Sequence, residues 1–352
     1  MSVFKDSFLQ AFFTSIHQHP EHNWDHYRFP DDHPRHRQFL VDRASSALTF
    51  ILDHAGGFET TYTLLEDTAS RELMVQLLVY RVLDHHHVRL PLNTPGFWKT
   101  WEAIDSSYLR ESRVIETERW ALNHYFLPEL GIELIGAPGS VMTIFLLKQY
   151  YYPGPPSIRP EAGDILIDGG GCWGDTALHF AHSVGERGEV HSFEFVPGNL
   201  RIFQRNLELN PLLKDRVHIA PYALSERSGE KLGFDDRGPS TNLAPQGASS
   251  VETRSIDTYV AEAALPRVDF IKMDIEGYEA AALRGARRTI ARYRPRLAIS
   301  AYHRPEDFLD LPQVILDIDP GYRFRLGHYT IHNEETILYA IHADRTPPAG
   351  RE

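Results

Sequence analysis

Two short runs in the second half of the chain gather acids and a histidine in an order that could move a proton. KMDIEGYE holds Asp274, Glu276 and Glu279 around Gly277, and SAYHRPEDF holds Tyr302, His303, Arg304 and Asp307. A histidine flanked by carboxylates can be tuned near neutrality, where it takes a proton from a hydroxyl. His303 is therefore the candidate base, with Asp274 or Glu276 orienting it or steering the acceptor. Asp274 and Glu276 could instead hold a divalent cation that acidifies the hydroxyl. His303 could also be a plain hydrogen-bonded loop residue, since the chain has nineteen histidines. His328, His332, Glu334 and Glu335 form a further acid/base set near the end. The cluster His85-His86-His87, with His191, lacks metal-ligand spacing, so no metal site is expected.

A second constellation binds rather than reacts. In IDGGGCWGDTALHF an apolar strand runs into glycines and then opens a helix. Gly169, Gly171 and Gly174 satisfy the dinucleotide fingerprint, which would suit an NAD-dependent oxidoreductase. The charges argue otherwise. A pyrophosphate needs the bare N–H groups and positive end of a helix N-terminus. Here Asp168 ends the strand and Asp175 starts the helix, two carboxylates that would repel it. S-adenosylmethionine (SAM) carries no phosphate, and its methionine part bears an ammonium and a sulfonium. The pattern Asp168-x-Gly170-x-x-x-Gly174 suits SAM. Glu194, ending the next strand in HSFEFVP, is placed to hold the two ribose hydroxyls. The expected cofactor set is Asp168, Gly170, Gly171, Gly174, Asp175 and Glu194. Cys172, inside the loop, reads as a small filler.

The elements that must position these residues alternate. ILID (165–168), EVHSFEF (189–195), VHIAPYA (217–223), VDFIKMD (268–274) and RLAISAY (296–302) read as buried strands. Helices are expected from Asp175 to Val184, through Leu200, Phe203 and Leu207, and from Ala280 to Arg294. That alternation predicts an α/β, mostly parallel, doubly wound sheet. The closing YRFRLGHYTIHNEETILYAI adds two strands and an antiparallel edge. The stretch 234–250 reads as a loop.

Before residue 150 the pattern is helical. Leu40, Val41, Ala44, Leu48, Ile51 and Leu52 share one face of a helix that Gly56 and Gly57 end. Leu73, Met74, Leu77, Leu78, Val82 and Leu83 mark another. The expected organisation is a mainly helical cap or packing region at 1–152, a proline-rich linker at 153–164 and a SAM-dependent methyltransferase domain at 165–345.

Composition excludes several classes. With 36 basic against 48 acidic residues the formal charge is −12, so neither nucleic acid nor an anionic membrane is an expected partner. One cysteine allows no intrachain disulfide or thiolate zinc site. No run has the length of a membrane span or the form of a signal peptide, which predicts a cytoplasmic protein.

DGGGCWGDTALHFA, FEFVPGNL, FIKMDIEGYEAAALRGA and AISAYHRPEDF resemble the FkbM family of SAM-dependent methyltransferases over roughly 161–342. The resemblance implies a Rossmann-like class I fold, SAM as cofactor, and O-methylation of a sugar, glycan or polyketide hydroxyl. It matches Asp168, Gly170 and Gly174 to the SAM loop and Glu194 to the ribose acid. Asp274, Glu276 and His303 fall in its KMDIEG and YH segments. A small-molecule or glycan acceptor is the expected partner. A SAM-binding protein with a scaffold role is the non-enzymatic alternative.

Overall fold

The computed structural model describes residues 2–21, 23, 36–116, 121–243 and 247–345, with the backbone alone for 36–40. Leu40's side chain and residues 244–246 of the expected loop lie outside that set.

The first half opens with α1 (Val3–Ile16), α2 (His36–Asp53), α3 (Ala55–Leu64), α4 (Thr68–Leu83) and α5 (Pro95–Tyr108). Their starts follow local chemistry. Asp67 accepts from the Ser70 amide at 2.7 Å to cap α4, and Thr94 accepts from Phe97 to cap α5 just ahead of Pro95. Gly56 and Gly57 do not end a helix, contrary to expectation. They sit in the first turn of α3, where a Cβ on Gly57 would come within 3.0 Å of Leu309. A small residue is needed where α3 meets a later helix.

The region is also less helical than its sequence suggested. β1 (Leu109–Glu116), β2 (Ala121–Leu127) and β3 (Ile132–Gly136) form an antiparallel sheet, followed by α6 (Pro138–Ser140) and a π-helical turn at Val141–Leu146. The outer edge of β3 is occupied by amide side chains. Asn206 bonds both the amide and the carbonyl of Ile135, and Asn210 does the same at Glu133. Those contacts satisfy an edge that would otherwise be open.

The second half follows the expected alternation: β4 (Ile165–Gly169), α7 (Asp175–Val184), β5 (Glu189–Phe193), α8 (Pro197–Leu209), α9 (Pro211–Lys214) and β6 (Val217–Ala220). A small sheet of β7 (Ala223–Leu224), β8 (Lys231–Phe234) and β9 (Ser249–Arg254) occupies part of the expected loop. Then come α10 (Ile256–Glu262), β10 (Phe270–Met273), α11 (Glu279–Arg284), α12 (Arg287–Tyr293), β11 (Arg296–Ser300), α13 (Asp307–Ile318), β12 (Tyr322–His328) and β13 (Thr336–His342). The single helix expected over 280–294 is broken at Gly285. A Cβ there would lie 2.3 Å from the Ser225 carbonyl, and Gly285's own carbonyl accepts from Asp257.

The main sheet has the order β12-β13-β11-β10-β4-β5-β6. β4, β5, β6, β10 and β11 are parallel, and β13 runs against both β11 and β12. The antiparallel strand thus stands one place in from the edge. Every residue of β4, β10 and β11 is buried, as a parallel sheet covered on both faces requires. On one face Ile165, Ile167, Ile271 and Met273 belong to a cluster that runs through α10, α11, α12 and α13 and out to α4 on β12 and α3 on α13. On the other, Leu166 and Phe270 pack with α7 and residues 125–158. The strand order reverses between β4 and β10, where ligands bind such sheets. Among the described residues no helix is long and apolar enough to cross a membrane.

Candidate active site

A cavity of about 550 Å³ opens at the carboxyl ends of these strands. The loop after β4 forms its floor. Gly170 and Gly174 have φ of +80° and +85°, a region side chains avoid. A Cβ on Gly170 would stand 1.9 Å from the Asp274 carbonyl, and one on Gly174 2.3 Å from the Phe203 ring. Gly171 is as tightly placed, 2.2 Å from the Ser192 hydroxyl. Of the expected cofactor set, Gly170, Asp175 and Glu194 line the cavity, while Gly171 and Gly174 let the loop pack behind it.

Asp168, expected in the cofactor set, is turned into the protein and does not line the cavity. It is fully buried, and its Oδ2 accepts from Thr176 at 3.0 Å and Ser192 at 2.7 Å. Its Oδ1 faces the Lys272 ammonium at 3.1 Å. Lys272 also donates to the carbonyls of Gly169 and Gly170, at 3.0 and 2.6 Å. Asp168 and Lys272 therefore hold the loop to the sheet. Sequence reading missed Lys272, although a lone lysine in the apolar run VDFIKMD was the available signal.

Glu194 Oε1 accepts from the amides of Phe195 and Val196, and Oε2 from Asn199. Burial outweighs those bonds and pushes its carboxyl up to about 7. Burial also pushes the Cys172 thiol up, consistent with filler and not nucleophile.

The reacting end gathers around Asp274. Tyr150 and Tyr302 donate their hydroxyls to its two oxygens, at 2.8 and 3.1 Å. Burial opposes its charge, but His303, Lys272 and Tyr150 together hold the carboxyl well below the usual range. Burial, with Asp274 adding, raises both phenols, so they serve as donors. Glu335 from the final loop accepts from Gln149, and burial with Asp274 pushes it up to about 8. Glu334 and Glu335 share this cavity, so that part of the final loop belongs to the site. Gln149, Tyr150, Thr143 and Ile144 come from the first half, which was expected as a cap or packing region.

His303, the expected base, sits among three carboxylates. Its Nε2 lies 3.3 Å from Asp274 and 3.8 Å from Glu276, and its Nδ1 lies 2.9 Å from Glu279. Neither nitrogen is aligned for a hydrogen bond, so these are ion-pair contacts. Burial works against the charged ring, but Asp274 and Glu279 overcome it and raise the pKa to about 11. These contacts favour the charged ring, which works against a role as the base. Glu276 suits that role: burial, with Asp274 and Glu279, raises it to about 7 while His303 opposes, and it faces the cavity. Ligand atoms of Asp274, Glu279 and His303 also lie within 4.8 Å of one another, close enough to surround a cation. The imidazolium already supplies positive charge there.

Asp175, Glu194, Asp274, Glu276, Glu334 and Glu335 line the cavity, against Lys272 as its one lysine or arginine among the described residues. An acid-lined wall beside a glycine loop fits a cofactor that carries ammonium and sulfonium charge and does not fit a pyrophosphate. Strand order, loop and lining together define a class I SAM-dependent methyltransferase domain. Residues 163–326 match the family model of the methyltransferase FkbM domain, which bears out the resemblance read from the motifs and gives SAM as the cofactor. The chain is similar to 2-O-methyltransferase NoeI of Sinorhizobium fredii, 26% identical over 189 residues that make up 47% of this chain and 75% of that protein. It is also similar to the crystal structure of methyltransferase FkbM from Methylobacillus flagellatus KT, with 22% identity and a TM-score of 0.54. That likeness covers 82% of this chain and 59% of the other, and it concerns the fold.

Proposed function

We propose that this protein transfers a methyl group from SAM to a hydroxyl of a sugar, glycan or other small metabolite. The observation that carries the reading is Glu276, a cavity-facing carboxyl raised to about 7 beside the buried Asp274–His303–Glu279 cluster. The relative named as a 2-O-methyltransferase supports a hydroxyl acceptor.

When bound, SAM supplies an electrophilic methyl on its sulfonium. Gly170 and the loop amides form the floor beneath it, and Glu194 binds the ribose hydroxyls. Asp274, fixed by Tyr150, Tyr302 and His303, holds negative charge at the end of β10. His303 is a positioning residue whose charge helps keep Asp274 ionised and pairs with Glu279. Glu276 takes the acceptor's proton, which a carboxylate poised near neutral pH does well. The enzyme's remaining task is alignment of hydroxyl and methyl.

Transfer of labelled methyl from SAM to a panel of glycosides and hydroxylated metabolites tests the reading. Label appearing on an oxygen of the acceptor is the expected result. Label on nitrogen or carbon, or tight SAM binding with no transfer to any acceptor, would overturn it.

A further inference from the structure

A second cavity, of about 500 Å³, lies behind the wall formed by Tyr302 and His303, which face both spaces. Its sides come from α2 and α4, with Arg304 and Pro305 after β11 and Asn333 from the final loop. No aspartate or glutamate lines it, whereas Arg43, Arg81 and Arg304 do. The two adjoining cavities therefore have opposite character, in a chain whose net charge is −12.

The three arginines differ in what they already hold. Arg43 pairs with Asp84 at 2.5 Å. Arg81 meets no carboxylate in an ion pair among the described residues. It has a long contact, 3.4 Å, to the Asn333 amide oxygen, and its guanidinium stands 4.8 Å from the centre of the Phe308 ring. Burial pulls its pKa down to about 10 although Asp307 acts the other way, the signature of a desolvated cation short of counter-charge. Arg304 is exposed at the rim and likewise has no ion pair among the described residues. Guanidinium groups in this state bind carboxylates and phosphates through paired N–H donors. Phe50 and Tyr80 give the same cavity a ring-lined side that suits the carbon face of a sugar.

We propose that this cavity is the acceptor site and that it takes an acidic sugar, with Arg81 and Arg304 binding the acceptor's carboxylate or phosphate. The inference rests on the methyltransferase reading above. It adds that the acceptor is anionic and that the N-terminal helices carry its recognition. Tyr302 and His303 line both cavities, so an acceptor anchored here lies next to the space that Glu276 faces.

The test is titration of the full chain, with and without S-adenosylhomocysteine, using methyl glucuronide, glucose 6-phosphate and neutral methyl glucoside. One charged probe should bind about ten-fold or more tightly than the neutral one, with an advantage that shrinks as salt rises. Which charged probe gains distinguishes carboxylate from phosphate. Arg81→Met should erase the advantage while leaving S-adenosylhomocysteine affinity within about two-fold. Arg304→Gln, at the exposed rim, should reduce it in a protein whose folding is not at stake. Equal binding of charged and neutral probes, or an advantage that survives both substitutions, would overturn the site. Failure of S-adenosylhomocysteine to bind the unaltered protein would count against the methyltransferase reading, and the charge preference would still be read without it.

Discussion

Lys272 and Asp168 are register partners on neighbouring strands, their charged atoms 3.1 Å apart and their side chains 1% and 0% exposed. Ser192 is Asp168's partner on the other side, so one carboxylate is satisfied from both adjacent strands. Lys272→Met would leave that carboxylate buried without its counter-charge. A loss of about 3–5 kcal/mol is expected in denaturant unfolding. The double variant Asp168→Asn with Lys272→Met should recover part of it, because the uncompensated charge is gone.

Glu276→Gln should lower kcat by about 10²–10⁴ with SAM affinity almost unchanged. A carboxyl raised to about 7 is mostly protonated below that pH and ionised above it. The rate of the unaltered enzyme should therefore climb with pH through about 7, and the variant should lose that limb. EDTA should leave both rates unaltered. Loss of activity on chelation would give the Asp274, Glu279 and His303 cluster to a cation instead.

His303→Gln tests the ion pairs by their pH dependence. The folded protein raises this histidine from 6.5 to about 11. Its stabilising contribution is complete below pH 6.5 and is lost as pH rises through about 11. The difference in melting temperature between the unaltered protein and the variant should be greatest near pH 6. It should narrow steadily toward pH 11.

Glu194→Ala removes the acid expected at the ribose and the acceptor of the Phe195 and Val196 amides. Charge-assisted hydrogen bonds of this kind are worth about 1.5–3 kcal/mol, so SAM affinity should fall about ten-fold or more by calorimetry. An unchanged dissociation constant in a folded variant would remove Glu194 from the cofactor site.

A fragment starting near Glu161 should fail to bind SAM. It lacks Thr143, Gln149 and Tyr150 from the cavity wall, and it uncovers the surfaces of β12 and α13 that α4 and α3 cover. Aggregation, or a soluble fragment without SAM affinity, is the expected outcome in a thermal-shift assay. A soluble fragment that binds SAM as the full chain does would show that the first half is dispensable to the site.

The sheet was legible because its signals are local. ILID, HSFEF, FIKMD and RLAIS are short, carry apolar residues at most or alternate positions, and end in or beside residues that line or support the cavity. The three-stranded sheet at 109–136 was missed because β1 is mostly exposed and carries several charges, so its alternation is faint. Yet Tyr125, Leu127, Ile132 and Leu134 do recur at a spacing of two. The motifs located Asp274, Glu276 and His303, but not the state of the histidine. That state depends on Glu279, four positions from Ile275, whose amide donates to it and aims it at the ring. No spacing rule reports such an orientation. Tyr150 and Gln149 were invisible for a simpler reason: 124 residues separate Tyr150 from the aspartate it bonds.

The bond from the Glu66 amide to the Phe324 carbonyl, with the bridge between Leu65 and Phe324, fastens the first half to a strand formed late in the chain. During synthesis α3 and α4 emerge long before α13 and β12, the elements they pack against. Contacts spanning so much chain slow folding and leave apolar surface exposed to other molecules in the interval. The early helices must wait on the ribosome for partners some 250 residues downstream, as the 256-residue span from Ser70 to Leu326 illustrates. Chaperone demand and expression yield should therefore respond to changes in β12 as strongly as to changes in the helices themselves.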